Sequence, residues 1–175
     1  MSASLPKGFP KPTEPEAIAV KDYPGYRAVT YTYQGQVQQA TRVAFDPLYN
    51  HISRNQIAMT TPVEVRYTDA SAIQVETPSQ AEVSFLYPDR EIEPQNIGSD
   101  VKVTDYPPMK VVSIGIQGAY SWSSYETHLQ RLQGWLQAHP EYKAVGCPRR
   151  LLYNSPMTPE PLKRSEVQIA IAPVD

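Results

Sequence analysis

The chain has little of what several large classes of protein require. Its 175 residues contain one cysteine, Cys147, which excludes an internal disulfide framework and fits a reducing compartment. The formal charge is −2 and basic residues do not cluster, so nothing indicates nucleic-acid binding. No apolar run approaches the roughly 18 to 20 residues of a membrane-spanning helix. We expect a monomer or weak dimer with no nucleic-acid partner and no membrane span.

The common signatures of catalysis are also missing. The sequence contains no G-x-S-x-G, no H-E-x-x-H, no glycine-rich phosphate loop and no paired cysteines. Ser124, Glu126 and His128 fall close together, but positions i, i+2 and i+4 of one helix do not form a nucleophile relay. The sequence therefore favours a non-enzymatic protein.

What is present indicates one compact domain with an unusual aromatic content. Hydrophobic residues make up 41% of the chain, and twelve Tyr and two Trp stand against three Phe. Such amphipathic rings suit partly hydrated walls as well as cores. Residues 1–16 are rich in proline and polar residues and are predicted to form a mobile arm before a domain at 17–175. This start does not resemble a signal peptide, so we expect a cytoplasmic protein, with a removed leader as the alternative.

Two segments of the chain match each other without a gap. The sequence V-K-D-Y-P-G-Y-R-A-V-T-Y-T-Y-Q-G from Val20 aligns with V-T-D-Y-P-P-M-K-V-V-S-I-G-I-Q-G from Val103, sharing Asp-Tyr-Pro and the closing Gln-Gly. We interpret the domain as two copies of one unit, at about residues 18–87 and 102–173, joined by a linker at 88–101.

Each copy predicts a strand, a helix and two further strands. The predicted strands cover residues 26–33, 62–67 and 81–86 in the first copy and residues 110–117, 149–153 and 166–172 in the second. An apolar stripe from Trp122 to His139 predicts the second helix, with Ser123 and Glu126 at capping-box spacing and Pro140 ending it. In the first helix Pro47 predicts a kink or a restart.

This pattern predicts an α+β fold. The doubled unit would have pseudo-two-fold symmetry and form a distorted antiparallel β-barrel or curved sheet with two helices.

The segment I-A-M-T-T-P-V, Ile57 to Val63, closely resembles the signature of the SOUL haem-binding protein family. The preceding A-F-D-P-L-Y-N-H-I and the final E-V-Q-I-A-I agree with it, over residues 17–173. Gln56 departs from the lysine usual in that family. The resemblance implies a pseudo-symmetric distorted barrel with two helices, and weak binding of haem or another tetrapyrrole in a hydrophobic cleft between the repeats, for storage, transport or buffering.

The second half also looks like the gyrase-inhibitor-like, effector-binding domains of bacterial regulators. Y-N-S-P, Tyr153 to Pro156, stands where Met59 to Pro62 stands in the first copy. Glu166 matches a pocket glutamate that contacts cationic ligands in some of those domains. This resemblance implies an alternative function, the sequestering of bulky cationic aromatic molecules, and a further alternative, hydrolysis of strained small molecules with help from Glu166.

Eight residues are candidates for the cleft. His51 and His128 are candidate haem-iron ligands, with a surface position as the alternative for each. Glu166 is a pocket carboxylate or a solvated strand-edge charge, and the others are pocket walls or ordinary core residues. The candidate ligand-contacting residues are Met59, Tyr31, Tyr33, Trp122, Tyr153, Glu166, His51 and His128.

Overall fold

A computed structural model describes residues 3–74 and 77–175 of the chain. Two helices and eight strands make up the regular structure, together with short 3-10 turns at Val37–Gln39 and Glu160–Leu162. In chain order the elements are β1 (Ile18–Tyr23), β2 (Tyr26–Gln34), α1 (Ala40–Arg54), β3 (Val63–Arg66), β4 (Gln80–Leu86), β5 (Lys102–Tyr106), β6 (Met109–Gln117), α2 (Trp122–Ala138), β7 (Tyr142–Leu152) and β8 (Arg164–Pro173).

All eight strands form one antiparallel sheet in the order β1-β6-β8-β7-β3-β4-β2-β5. The predicted α+β fold with two helices on a curved sheet is confirmed. The sheet does not close into a barrel, because β1 pairs with β6 and β5 pairs with β2, and these two strands remain the edges.

The strands β1 and β5 were missed by the sequence prediction. Each Asp-Tyr-Pro motif ends one of these strands and begins the turn into the next strand. β1 pairs with β6 of the second half, and β5 pairs with β2 of the first half. Each half thus follows the order strand, strand, helix, strand, strand, while duplication of an ancestral unit stays a prediction.

Two details of the helices bear on the sequence predictions. α1 continues through Pro47, so the predicted restart at this residue is wrong, while the alternative, a kink, stays a prediction. α2 is capped by Ser121, whose hydroxyl accepts a hydrogen bond from the Ser124 amide at 3.2 Å, and the proposed pair Ser123 and Glu126 lies inside the helix.

The sheet has two faces of opposite character. The first is covered by α1 and α2 and carries the apolar core. Its central residues include Val29, Val83, Phe85, Ile114, Val167 and Ile169 from the strands and Leu48, Ile52 and Leu132 from the helices. The second face holds charged, polar and tyrosine side chains together with two smaller apolar clusters, which contain Val111, Leu151, Ala28 and Leu86. We name it the arm face, because residues 3–17 lie across it.

Candidate functional site

Glu166 is the centre of a polar cluster on the arm face. In β8 it pairs with Gly115 of β6 and Leu151 of β7, and strand alternation directs its side chain away from the helices. The residue is 1% exposed. Its carboxylate accepts hydrogen bonds from Ser113 Oγ (2.5 Å), Thr13 Oγ1 (2.7 Å), Gln168 Nε2 (2.9 Å), Lys21 Nζ (3.0 Å) and Tyr153 Oη.

This carboxylate is held in its ionised form. Burial alone would raise the pKa of Glu166, but the Lys21 ammonium and the hydrogen bonds outweigh burial and lower it. Burial also lowers the pKa of Lys21, and the attraction of Glu166 offsets only part of that change. The same carboxylate raises the pKa of Tyr153 beyond the effect of burial, so the phenol stays protonated and donates to Glu166.

A second buried carboxylate lies on the same face. Glu64 is 0% exposed and contacts Arg149 Nη1 at 2.5 Å, Arg66 Nη2 at 3.2 Å and Tyr26 Oη at 2.7 Å. Burial would raise the pKa of Glu64, but the two guanidinium groups lower it overall. Two arginines around one carboxylate leave this cluster with a net positive charge.

Gln168 connects the two clusters. Its amide oxygen accepts from Arg149 Nε at 2.9 Å, and its amide nitrogen donates to Glu166 at 2.9 Å and to Tyr23 Oη at 2.8 Å. The arm face therefore carries one connected, buried hydrogen-bond network beside its two small apolar clusters.

The chain's own arm covers this network. Phe9 packs edge-on against Tyr23 and Tyr26, with ring centroids 5.1 Å and 5.3 Å apart. Thr13 is 6% exposed and donates to Glu166. The expected slot is thus filled at Glu166 by residues 3–17; the mobility expected of the arm stays a prediction.

The I-A-M-T-T-P-V segment forms the corner between α1 and β3. Thr60 Oγ1 donates to the Leu86 carbonyl at 2.6 Å, and Thr61 Oγ1 donates to the Tyr153 carbonyl at 2.8 Å. The Thr61 amide also donates to the carbonyl of Ser4 in the arm at 3.1 Å. The motif therefore sets a backbone shape that joins the two halves beside Tyr153.

The predicted site residues do not come together as one site. Tyr153 and Glu166 meet on the arm face. The other aromatic and methionine candidates pack against the helix-covered core, on the opposite side of the sheet; these are Tyr31, Tyr33, Trp122 and Met59.

The two candidate histidines are buried, and neither lies on the surface as the alternative reading expected. His128 Nδ1 lies 2.7 Å from the Ser124 carbonyl and its Nε2 lies 3.2 Å from both carboxylate oxygens of Glu16. His51 Nε2 lies 2.6 Å from Tyr87 Oη, and its Nδ1 is buried without a partner among the described residues. Burial lowers the pKa of His51.

These contacts do not fit an axial haem ligand. Either ring would have to give up a hydrogen bond or leave its packed position before iron could approach a nitrogen. Within residues 3–74 and 77–175, no group of three or more His, Cys, Asp and Glu side chains is arranged to hold a metal ion. A haem bound here would need to be held by contacts other than these histidines.

Sequence reasoning missed most of the network around Glu166. One signal was available: in E-V-Q, Glu166 and Gln168 are two residues apart and must share a face of a strand. Lys21 and Tyr23 lie inside the repeated segment, but nothing local indicates that they meet β8. The arm gave no signal, because its position depends on contacts with residues about 100 to 150 positions away.

The chain belongs to the SOUL heme-binding protein family, whose family model matches residues 9–170. No curated protein matches the sequence.

The chain is also similar in fold to several solved structures. The EcmrR C-terminal domain is similar with a TM-score of 0.74 and 13% identity, covering 90% of this chain and 98% of that one. Of the longer EcmrR chain in its DNA complex, this chain spans 58%. SAV2435 bound to tetraphenylphosphonium has a TM-score of 0.56 and 11% identity, covering 89% and 94%. A hydrolase from Listeria innocua has a TM-score of 0.58 and 11% identity, covering 93% and 94%.

Neither helix within the described residues is long and apolar enough to cross a membrane.

Proposed function

We propose that this protein binds a bulky aromatic small molecule on the arm face without transforming it. The observation that supports this proposal is Glu166, an ionised carboxylate buried beside tyrosines and hydrogen-bonded to the chain's own arm. Buried charge is costly for stability unless it is paired, and buried ionisable groups with perturbed pKa values are more frequent at functional sites.

An aromatic cation is the ligand class that two resemblances favour: Glu166 matches a pocket glutamate of effector-binding domains, and a structure of similar fold is bound to tetraphenylphosphonium. Glu166 already pairs with Lys21 Nζ at 3.0 Å, and Phe9 lies between two tyrosines, so a bound aromatic group would take the place of the Phe9 ring. Tetraphenylphosphonium, the ligand of the similar protein SAV2435, is a suitable probe of this class.

Haem or another tetrapyrrole is the second candidate, because the chain belongs to a family described as heme-binding. Both candidate histidines are engaged or buried, so we expect affinity to come from burial of the flat ring and from its carboxylates near Arg66 and Arg149. Hemin and metal-free protoporphyrin should then bind with similar affinity.

We do not propose that the protein hydrolyses its ligand. A general base works best with a pKa near the working pH, and the pKa of Glu166 is lowered by its partners.

The test is an equilibrium titration with tetraphenylphosphonium and with uncharged triphenylphosphine oxide. Glu166→Gln should weaken binding of the cation by on the order of 30-fold, because the buried charge pairing is lost, and should change the neutral compound's affinity far less. Glu160→Gln, at an exposed position, is the matched control and should leave both affinities unchanged.

Equal losses for the charged and the neutral compound would remove the electrostatic argument. A linear signal without saturation, shared with an unrelated protein, would contradict specific binding of either ligand class.

A further inference from the structure

We propose that residues 3–17 act as a built-in competitor for the ligand site, and that a ligand binds only when this arm leaves the arm face. The proposal rests on the proposed function, because it concerns the same face. It adds a regulatory step: the protein as folded is closed, and its apparent affinity depends on how often the arm is released.

The arm places an aromatic ring where an aromatic ligand would pack. Phe9 contacts both tyrosine-containing clusters of the arm face, that of Tyr23 and that of Tyr26, and Met109 touches the same two clusters. A ligand ring that stacked against Tyr23 and Tyr26 would overlap with the Phe9 side chain. The two cannot be present together.

The arm also occupies the carboxylate. Thr13 Oγ1 donates to Glu166 Oε1 at 2.7 Å, and it lies 3.2 Å from Lys21 Nζ. The Thr13 hydroxyl brings no charge to the buried anion, and the Lys21 ammonium keeps its own contact with Glu166 when Thr13 leaves. Release of the arm therefore frees a hydrogen-bonding position on the carboxylate.

The sheet beneath the arm allows the backbone of the arm to approach it closely. A Cβ atom added to Gly115 would lie 2.3 Å from the carbonyl oxygen of Thr13 and 2.2 Å from that of Glu14. Gly115 also exchanges backbone hydrogen bonds with this segment, donating to the Ala17 carbonyl at 3.2 Å and accepting from the Glu16 amide at 2.8 Å. The arm seats closely on β6 only because this position has no side chain.

The arm is attached at a few separate points and has no regular secondary structure of its own. The Lys7 amide donates to the Pro88 carbonyl at 2.9 Å, and Ser4 accepts from the Thr61 amide. At the other end Glu16, where the arm turns into β1, has a left-handed backbone with φ of 65°. A segment without a helix or strand of its own can open locally at a lower free energy than the whole domain unfolds.

The consequence for affinity follows from mass action. When only a fraction of molecules is open, the apparent dissociation constant is the intrinsic constant divided by that fraction. An arm that covers the face in about nine molecules of ten therefore weakens binding about tenfold, and any change that loosens the arm tightens binding by up to that factor.

Two variants of the full chain loosen the arm from opposite sides. Phe9→Ala removes the ring that the arm inserts, and Gly115→Ala adds a methyl group to the sheet where the arm backbone lies. Titration with tetraphenylphosphonium should give an affinity about tenfold higher for both variants. Phe45→Ala, at an aromatic residue of α1 that is 43% exposed, is the matched control and should bind as the wild type does.

The direction of the affinity change in Phe9→Ala distinguishes the competitor proposal from one in which Phe9 is a fixed wall of the ligand site. If Phe9 were a fixed wall of the ligand site, Phe9→Ala would weaken binding, and that result would overturn the competitor proposal while leaving the proposed function in place. Unchanged affinity in both variants would overturn it too. Absence of saturable binding in the wild type and in both variants would overturn the proposed function, and this proposal with it.

Hydrogen exchange provides a second readout that does not depend on affinity. The amides of Lys7 and Glu16 donate to backbone carbonyls of the domain and should exchange slowly in the free protein. Saturating tetraphenylphosphonium should accelerate their exchange by at least about fivefold, because the arm is displaced. Slower exchange of these amides in the complex would mean that the arm closes over the ligand, which contradicts the proposal.

Discussion

The two faces of the single sheet differ, although the same strands build both. In β6, Val112 and Ile114 join the helix-covered core, while their neighbours Ser113 and Gly115 belong to the arm face. On the first face burial of apolar area stabilises the fold. On the second face carboxylates, guanidinium groups and an ammonium satisfy one another. We infer that the helix face supplies stability and the arm face supplies recognition.

The polarity of the arm face has an energetic meaning. Well-packed apolar residues in place of a buried ion pair are often neutral or stabilising, so charge in this position is weak evidence of a stabilising role. Glu64 and Glu166 are both almost fully buried and each needs at least one cationic partner. Four variants test this difference between the two faces.

The largest effect is expected at the Glu64 cluster. Glu64→Gln leaves Arg66 and Arg149 facing each other without an anion, and we expect the free energy of unfolding to fall by about 3 to 5 kcal/mol. Chemical denaturation measures this change. In the double variant with Arg149→Met the losses should not add, and strict additivity would contradict a coupled cluster.

A slightly smaller loss is expected in the helix-covered core. Leu132 is 0% exposed in α2, and Leu132→Ala should lower the free energy of unfolding by about 2 to 4 kcal/mol, through lost burial and a cavity. Affinity for tetraphenylphosphonium should not change. Leu162→Ala, at a 61% exposed position, is the control, with a change of less than about 0.5 kcal/mol. Weakened ligand binding in Leu132→Ala would contradict the division of roles between the faces.

A smaller effect is expected in the pH dependence of the free energy of unfolding. The folded pKa of Glu166 lies below its usual value of 4.5. The stability that its ionised form contributes is therefore fully present above about pH 4.5 and is lost as the pH falls through the lower folded pKa. In Glu166→Gln the fall in unfolding free energy over this acidic range should be shallower than in the wild type.

Denaturation series at several pH values between about 3 and 7 would measure this slope. Glu64 titrates with the same sign in both proteins and cancels in the comparison. An unchanged slope would mean that Glu166 is not preferentially ionised in the folded protein.

The smallest effect is expected at the edge of the sheet. Arg27 Nε donates to Asp105 Oδ1 at 2.7 Å across β2 and β5, but the Asp105 side chain is 67% exposed. Asp105→Asn should therefore change the unfolding free energy by less than about 1 kcal/mol, and less still at high salt. A loss comparable to that of Glu64→Gln would show that burial does not separate the two kinds of ion pair.

The local features of the fold were predictable from the sequence. The apolar stripe that begins at Trp122 gave α2 its length, and alternation placed β6 and β8 to within a few residues of their observed ends. Two local details were predicted wrongly: the capping residue of α2 and the restart of α1 at Pro47. Ser121 caps α2 in place of Ser123, because Ser121 has the extended backbone that a capping residue needs, and Pro47 is tolerated where tertiary packing supports the helix.

The candidate site was predictable only in part. Glu166 was selected by resemblance and Tyr153 as an aromatic wall, and the two do meet. Tyr31 and Trp122 were also selected as aromatic walls, but they lie with the helix-covered core. Composition does not tell which face of a sheet a ring joins when both faces are covered. The positions of the eight candidates do not support the prediction that they line one cleft.

Local patterns were enough to predict the class of fold, the family, the two helices and the alternation that separates the two faces, because these depend on residues close together in the chain. The pairing of β1 with β6, the burial of His51 and His128 and the position of the arm over Glu166 became visible only in the folded chain. Such contacts join residues far apart in the chain, and their free energy depends on burial and on partners that no local pattern encodes.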